Sequence, residues 1–172
     1  TFDLPTASDN CSSDVTTIQT EGPASGTELP LGATDFSFES TDSEGNLSTC
    51  SYIVTVIDSE SPVFLECPED LIIELESNSC DTLVSFDTPQ ATDNCGATTV
   101  EQTGGPLSGD LLNPGNYTIE FTAADNSGNT SFCSFNIVVE DVTAPLVECP
   151  ESFQSCDLII DLPQPIASDN CG

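Results

Sequence analysis

Apolar and polar residues alternate along several short stretches of this chain. Tyr117, Ile119 and Phe121 are separated by single polar residues, which is the period-two pattern of a half-buried β-strand. The alternation returns after a turn at 125–129, at Cys133, Phe135, Ile137 and Val139. Both stretches have counterparts earlier in the chain, at Phe36, Phe38, Cys50, Tyr52, Val54 and Val56. No stretch has helical periodicity. The pattern predicts an all-β protein.

Shorter apolar runs complete the set of predicted strands. Four of them precede or separate the alternating stretches, at residues 62–66, 71–75, 83–86 and 98–102. A long loop follows, punctuated by Gly104-Gly105-Pro106 and Asn113-Pro114-Gly115. Many short strands, regularly spaced turn signals and a disulfide between strands are typical of an immunoglobulin-like β-sandwich, and this is the fold we predict.

The chain repeats itself. Asp-Asn-Cys occurs at residues 9–11, 93–95 and 169–171, so its successive copies are 84 and 76 residues apart. Cys-Pro recurs at 67–68 and 149–150, and Asp-x-x-Gly-Asn recurs at 42–46 and 125–129. Such self-similarity is the signature of a tandem array. We predict the later part of one repeat in residues 1–60, a complete repeat in 61–141 and the start of another in 142–172.

Nine cysteines without metal-type Cys-x-x-Cys spacing indicate disulfides, and therefore an oxidising, extracellular compartment. The repeats differ in length mainly between Cys67 and Cys80, where a loop closed on itself by a disulfide would tolerate the change. The spacing therefore favours four pairs, namely Cys11 with Cys50, Cys95 with Cys133, Cys67 with Cys80, and Cys149 with Cys156. We expect Cys171 to pair with a residue outside this sequence, which we interpret as a window of a longer secreted polypeptide.

Thirty carboxylates and no Lys, Arg or His give the chain a formal charge of −30. Because no side chain can neutralise a phosphate, nucleic acids and anionic membrane surfaces are excluded as partners. Catalysis that depends on His or Lys is excluded as well. No apolar run is long enough to cross a membrane. Bound divalent cations would offset the self-repulsion, so calcium is the one candidate cofactor.

One continuous stretch of the chain resembles a known family. Asp-Asn-Cys, a Gly-Pro loop, the run Leu-Asn-Pro-Gly-Asn-Tyr-Thr-Ile-Glu-Phe-Thr-Ala-Ala-Asp-Asn-Ser-Gly-Asn-Thr-Ser-Phe-Cys-Ser-Phe and a Cys-Pro link follow in the order of a hyalin repeat, or HYR domain. The resemblance covers residues 62–141 and parts of the repeats on either side. It implies an immunoglobulin-like fold in extracellular, multi-repeat proteins linked to adhesion. The chain also resembles the long, acidic HYR arrays of large bacterial surface proteins, notably from Bacteroidetes.

Acidic residues at the turns and at the junctions between repeats have two interpretations. Hard oxygen ligands in an uncompensated negative field favour Ca²⁺, whereas Asp and Asn beside a glycine also form tight turns without any ion. The turn is favoured within repeats because no EF-hand spacing is present, while the junctions leave both interpretations open. The candidate metal ligands are Asp9, Asp42, Asp58, Glu60, Asp93, Asp125 and Asp141.

Candidate glycosylation sites are also present. The Asn-x-Ser/Thr pattern marks four asparagines, and an Asp-Thr-aliphatic pattern resembles the O-glycan acceptor of Bacteroidetes. These positions are Asn10, Asn46, Asn116, Asn129 and Thr82.

The sequence predicts a non-catalytic module that builds a secreted or cell-surface filament, stalk or fibril. Its expected partners are neighbouring copies or repeats of the same protein and covalent glycans. The alternative is an adhesin that binds carbohydrate or protein through loops such as 104–115. Neighbouring carboxylates such as Glu74 and Glu76 are better explained as a solvated strand face than as an acid–base pair. A glycosidase cleft needs apolar and aromatic walls, and the chain has no Trp and only two Tyr.

Overall fold

In a computed structural model, the described residues are 1–11, 14–76, 79–152 and 164–171. They form strands, turns and loops without any helix, so the all-β prediction is confirmed. The chain divides into two compact units, Thr1–Ser59 and Glu60–Gly172.

Unit 1 contains one antiparallel sheet of three strands in the order β1-β2-β3. The strands are β1 (Thr16–Glu21), β2 (Gly32–Thr41) and β3 (Leu47–Val56). Phe36 and Phe38 point to one face of β2 and are buried. Tyr52 of β3 stacks on both rings, and Phe2 meets both edge-on, which gives the unit a small aromatic core.

Unit 2 is built around a larger sheet in the order β5-β11-β10-β8, in which β5 lies parallel to β11 and the other pairs are antiparallel. Three two-stranded sheets, β4-β7, β6-β9 and β12-β13, complete the unit. The strands are β4 (Val63–Phe64), β5 (Leu71–Glu74), β6 (Thr82–Leu83), β7 (Ala91–Thr92), β8 (Thr98–Gly104), β9 (Leu111–Leu112), β10 (Gly115–Asp125), β11 (Thr130–Glu140), β12 (Leu146–Glu148) and β13 (Ile166–Ser168).

The core of unit 2 lies between this sheet and the short strands and loops that pack on one of its faces. The predicted alternation along β10 and β11 is confirmed, because Ile119, Phe121, Phe135, Ile137 and Val139 share one buried face. Residues from the opposite layer close over them, namely Phe64, Val84, Phe86 and Leu112. Two packed layers of short antiparallel strands are the architecture of an immunoglobulin-like sandwich. Each fully buried Phe or Ile contributes roughly 1.5–3 kcal/mol.

The strands of the covering layer are shorter than the apolar runs predicted. The regular pairing of β6 ends at Leu83. Val84 still bonds to the loop, since its N–H donates to Asp110 O and its carbonyl oxygen accepts from Gly109 N. Phe86 is held instead by Ser108, whose Oγ accepts from Phe86 N at 2.9 Å and donates to Phe86 O at 2.7 Å. Side-chain hydrogen bonds of this kind replace strand pairing, and apolar periodicity carries no trace of them.

The disulfides of unit 2 correct the pairing predicted from spacing. Cys67 is joined to Cys133, with a Cα–Cα distance of 5.8 Å, so the predicted bridges of Cys67 with Cys80 and of Cys95 with Cys133 are wrong. The reason lies in the parallel pair. Leu71 of β5 lies opposite Ile137 of β11, and the two bonded cysteines each lie four residues earlier, so the bridge continues the register of the strands.

The remaining predicted pairs fare differently. Cys171 is bonded to Cys80, at a Cα–Cα distance of 5.0 Å, rather than to a residue outside the sequence. Cys11 and Cys50 are exposed, free thiols, so their predicted bridge is absent. Cys156 lies outside the described residues, and its predicted partner Cys149 has an exposed, free thiol.

Candidate functional sites on the loops and junctions

The turn between the last two long strands of each unit is the most regular polar feature. Asp125 Oδ1 accepts hydrogen bonds from Ser127 N and Asn129 N at 2.8 and 2.9 Å, and its Oδ2 accepts from Asn129 Nδ2 at 2.8 Å. Asp42 does the same with Glu44 N, Asn46 N and Asn46 Nδ2 at 2.9, 2.8 and 2.7 Å. The two repeats therefore share one turn, atom for atom.

This geometry favours the turn interpretation of Asp42 and Asp125 over a calcium site. Three N–H donors are directed at each carboxylate, so both oxygens already have partners that an ion would have to displace. Gly45 and Gly128, with φ of +84° and +92°, supply the left-handed residue that the turn requires.

The pKa values of these two carboxyls follow from the same contacts. At Asp42 the hydrogen bonds from Asn46, first from its side chain and then from its backbone, lower the pKa below its ordinary value. At Asp125 desolvation raises the pKa, but the hydrogen bonds from Asn129, Ser127 and Gly128 together outweigh it, so the pKa is again lowered. Both turns thus favour the ionised form.

Each Asp-Asn-Cys motif forms a turn of its own. Asp9, Asp93 and Asp169 accept a hydrogen bond through Oδ1 from the backbone N–H two residues later, at 2.8, 2.8 and 3.0 Å. This is an Asx-turn, in which the side chain stands in for a backbone carbonyl. The predicted ligands Asp9 and Asp93 therefore each commit one oxygen to shaping the loop.

Of the predicted junction residues, Asp58 and Glu60 lie near the ends of the two units, whereas Asp141 directly follows β11 within unit 2. Asp58 is half-buried and lies two residues beyond β3 in unit 1. In unit 2, Asp141 Oδ1 accepts from Thr143 N at 2.9 Å, and Glu60 Oε2 accepts from Asn94 Nδ2. Glu60 and Asp93 also line an open cavity of about 330 Å³. Carboxylate oxygens suit Ca²⁺, but two of them are fewer than the six to eight oxygens that the ion takes from protein and water together.

Two glutamines that the sequence analysis did not single out hold the long loops. Gln102 Nε2 reaches the carbonyl oxygens of Gly104, Gly105 and Pro106 at 3.1, 3.3 and 2.7 Å. In unit 1, Gln19 Nε2 reaches Glu21 O and Pro23 O at 3.1 and 2.9 Å. The signal available in the sequence was a Gln three residues before a Gly-Pro pair in both units: Gln19 before Gly22-Pro23, and Gln102 before Gly105-Pro106.

The candidate glycan acceptors differ in accessibility. Asn10, Asn46 and Asn116 are exposed, whereas Asn129 and Thr82 are half-buried. The side chains of Asn46 and Asn129 donate to their turn aspartates, so a transferase would have to open the turn to reach them. Asn116 lies at the start of β10 with its side chain in solvent, which makes it the most open acceptor of the set.

Comparison with known proteins assigns the chain. The family model described as HYR domain matches twice, over residues 1–56 and 57–139. The chain belongs to the HYR domain family. These two HYR matches cover the turns, the long loops and the Cys67–Cys133 bridge described above. The chain is thus a repeat module of an extracellular, adhesion-related family.

Its relatives are large animal proteins. The chain is 30% identical over 184 residues to Hyalin from Lytechinus variegatus, covering 99% of this chain and 34% of that protein. It is 34% identical over 143 residues to Sushi, von Willebrand factor type A, EGF and pentraxin domain-containing protein 1 from Rattus norvegicus, covering 81% of this chain and 4% of that protein. The bacterial context expected from the resemblance is not supported by these relatives.

The solved structures that match include cadherin repeats. Drosophila N-cadherin EC1-3 matches with a TM-score of 0.49 and 17% identity, over 85% of this chain and 59% of that chain. Among the described residues, no helix is long and apolar enough to cross a membrane.

Proposed function

We propose that this HYR pair is a non-catalytic structural module of an extracellular filament, stalk or fibril. The observation that carries the proposal is the sameness of the two units down to their loops. The Asp-x-x-Gly-Asn turn, the glutamine that holds the long loop and the serine that clasps a phenylalanine (Ser25 with Phe2, Ser108 with Phe86) recur in both. Repeating loops suit a module whose task is to propagate a structure.

Charge and cross-links fit the same role. A formal charge of −30 keeps neighbouring arrays soluble and mutually repelling. The chain has no Lys or Arg for a trypsin-type protease to recognise, and disulfides stabilise small cores that burial alone leaves marginal. The partners in this proposal are neighbouring copies or repeats of the same protein, with glycans on exposed asparagines such as Asn116.

Electron microscopy of the native material, with and without EDTA, tests the proposal. Regular fibres with a repeat of one or two small β domains are the expected result. Isolated globular particles would refute the filament. Fibres that soften or shorten in EDTA would assign Ca²⁺ to the junction residues, with Glu60 and Asp93 the first candidates, whereas unchanged fibres would remove calcium from the proposal.

An adhesin that binds through its loops is the second candidate, and one observation favours it. In the long loop of unit 2, Leu107 and Leu111 are 62% and 61% exposed, and they stand where unit 1 has Ala24 and Glu28. Exposed apolar side chains on one loop are typical of a binding surface. The matched test replaces Leu107 by Ala and Leu111 by Glu, the residues of unit 1. Loss of adhesion to a glycan or protein array with unchanged fibres would support the adhesin.

A further inference from the structure

The outer face of the four-stranded sheet in unit 2 carries a small apolar patch. One face of β10 and β11 is the core, so the residues between the core positions point to the other side of the sheet. There Val138 of β11 lies beside Ile72 of β5, which is 70% exposed. Folding of unit 2 thus places two branched aliphatic side chains side by side on a surface that faces solvent.

The third residue of the same row is an asparagine. Asn116 of β10 lies directly opposite Val138 in the antiparallel pair, so their Cβ atoms are about 4.5–5.5 Å apart. Ile72 lies one strand further, roughly 10 Å from Asn116. Asn116 is exposed and is followed by Tyr117 and Thr118, which complete the Asn-x-Thr acceptor pattern. An acceptor and an apolar patch therefore share one row across three strands.

The rows on either side of the patch are polar. On one side Thr118 Oγ1 donates to Asn136 Oδ1 at 3.0 Å, and Asn136 N donates to Asp70 Oδ1 at 2.7 Å. On the other side Glu140 lies opposite Glu74, and both are exposed. A narrow apolar strip between two polar rows suits a pyranose ring, which presents C–H groups on its faces and hydroxyls at its rim.

Unit 1 provides an internal comparison for this row. In each unit a buried Phe on one long strand lies opposite a Cys on the next. At a distance of five residues from this pair, counted away from the turn on both strands, unit 2 pairs Asn116 with Val138, whereas unit 1 pairs Ala33 with Thr55. The acceptor and its aliphatic neighbour are thus present together in one unit and replaced together in the other.

We propose that Asn116 carries an N-linked glycan whose first sugars lie on Val138 and Ile72. Among the described residues, none forms a hydrogen bond with the Asn116 side chain, whereas the side chain of Asn129 donates to Asp125. This deepens the proposed function, on which it rests, by giving the glycan a structural role. The glycan covers the apolar strip and closes this face of the sheet to lateral contact with neighbouring copies.

The transfer balances with a lipid-diphosphate-linked oligosaccharide as the donor. A C–N bond forms between the anomeric carbon of the first sugar and Asn116 Nδ2, and the bond from that carbon to the diphosphate oxygen breaks. One amide proton is lost, and the lipid diphosphate is the leaving group. Water then leaves the apolar strip as the first ring covers it, and this release is the source of the stabilisation that we expect.

Differential scanning calorimetry of secreted material tests the contact. Wild type with the glycan should melt roughly 3–6 °C above Asn116→Gln in the transition of unit 2, the shift expected when one further methylene group is buried in a domain of this size. Trimming of the folded protein to a single N-acetylglucosamine at each occupied site should keep most of this gap, because the first sugar lies over Val138. A gap that vanishes on trimming would mean that the outer branches act by bulk, and it would overturn the inference.

Substitution of the patch separates contact with the sheet from the mere presence of a glycan. Val138→Thr introduces the residue that unit 1 has at this place, and together with Ile72→Thr it should abolish the gap between glycosylated and unglycosylated protein. Leu83→Thr with Leu111→Thr is the matched control, because this cross-strand pair is also exposed but lies on β6 and β9. The control should keep the gap of wild type. An undiminished gap in the Val138 and Ile72 variant would refute the contact.

Enzymatic removal of the glycan from folded wild type gives a second comparison, which does not depend on the secretion of a variant. It converts the asparagine to aspartate, and unit 2 should then melt at least as low as in Asn116→Gln.

Peptide mapping that finds Asn116 bare, or equal melting with and without its glycan, overturns the inference. Fibres whose Asn116 is bare would preserve the proposed filament and reject the inference. An occupied Asn116 with the expected shifts, in material that forms only isolated particles, would do the reverse.

Discussion

Removal of the Cys67–Cys133 bridge gives the sharpest test of how unit 2 is stabilised. The bridge spans a sequence separation of 66 residues. On the chain-entropy model, closing such a loop stabilises the folded state by about 4 kcal/mol. For a unit of this size, each kcal/mol shifts the melting temperature by about 4–8 °C, so Cys67→Ala with Cys133→Ala should lower it by roughly 15–30 °C.

Differential scanning calorimetry measures the effect, and unit 1 serves as an internal reference. Cys11→Ala, which removes an exposed free thiol, should leave both transitions in place. The reasoning is refuted if the double variant melts within a few degrees of wild type. It is also refuted if a glutamate-specific digest of the non-reduced wild type fails to release residues 67–69 joined to residues 121–140, the peptides that contain the two cysteines.

Three further predictions concern the polar loops. The lowered pKa of Asp125 means that its stabilisation is present above the unfolded pKa near 3.9 and is lost as pH falls through the lower folded value; the gap in melting temperature between wild type and Asp125→Asn should therefore shrink between pH 5 and pH 2. Gln102→Ala should destabilise unit 2 by about 1–3 kcal/mol and speed amide exchange in the loop that it holds, whereas an unchanged exchange rate would contradict its role. In secreted material, intact mass and peptide mapping should find glycan on Asn116 before Asn129, and a bare mass would reject glycosylation.

The strands that carry the core were predictable because their apolar side chains alternate over many residues. β10 and β11 are long, and one face of each is buried by the same sandwich that the alternation implies. The covering layer was harder to predict. Its strands β4 and β6 are two residues long, and Phe86 is held by a serine hydroxyl, which leaves no periodic signal.

The disulfides show what spacing alone misses. Length differences between repeats suggested a local loop from Cys67 to Cys80, but the structure joins Cys67 to Cys133 across a parallel strand pair. A parallel pair brings together residues far apart in sequence, and no turn between them marks the contact. The turn aspartates were left with two interpretations for a related reason. Asp42 and Asp125 offer the same oxygens to backbone N–H groups and to Ca²⁺, and only the donors around them distinguish the two.

The parallel bridge also governs how far a stretched array could lengthen. When unit 2 is pulled open from its ends, the disulfide keeps Cys67 and Cys133 together, so the chain between them, a sequence separation of 66, cannot extend. At about 3.5 Å per extended residue, this withholds roughly 230 Å of contour for each such unit. On unfolding, each such unit of an oxidised fibre would therefore release only a short length of chain. In a reduced fibre, each unit would release its full contour length.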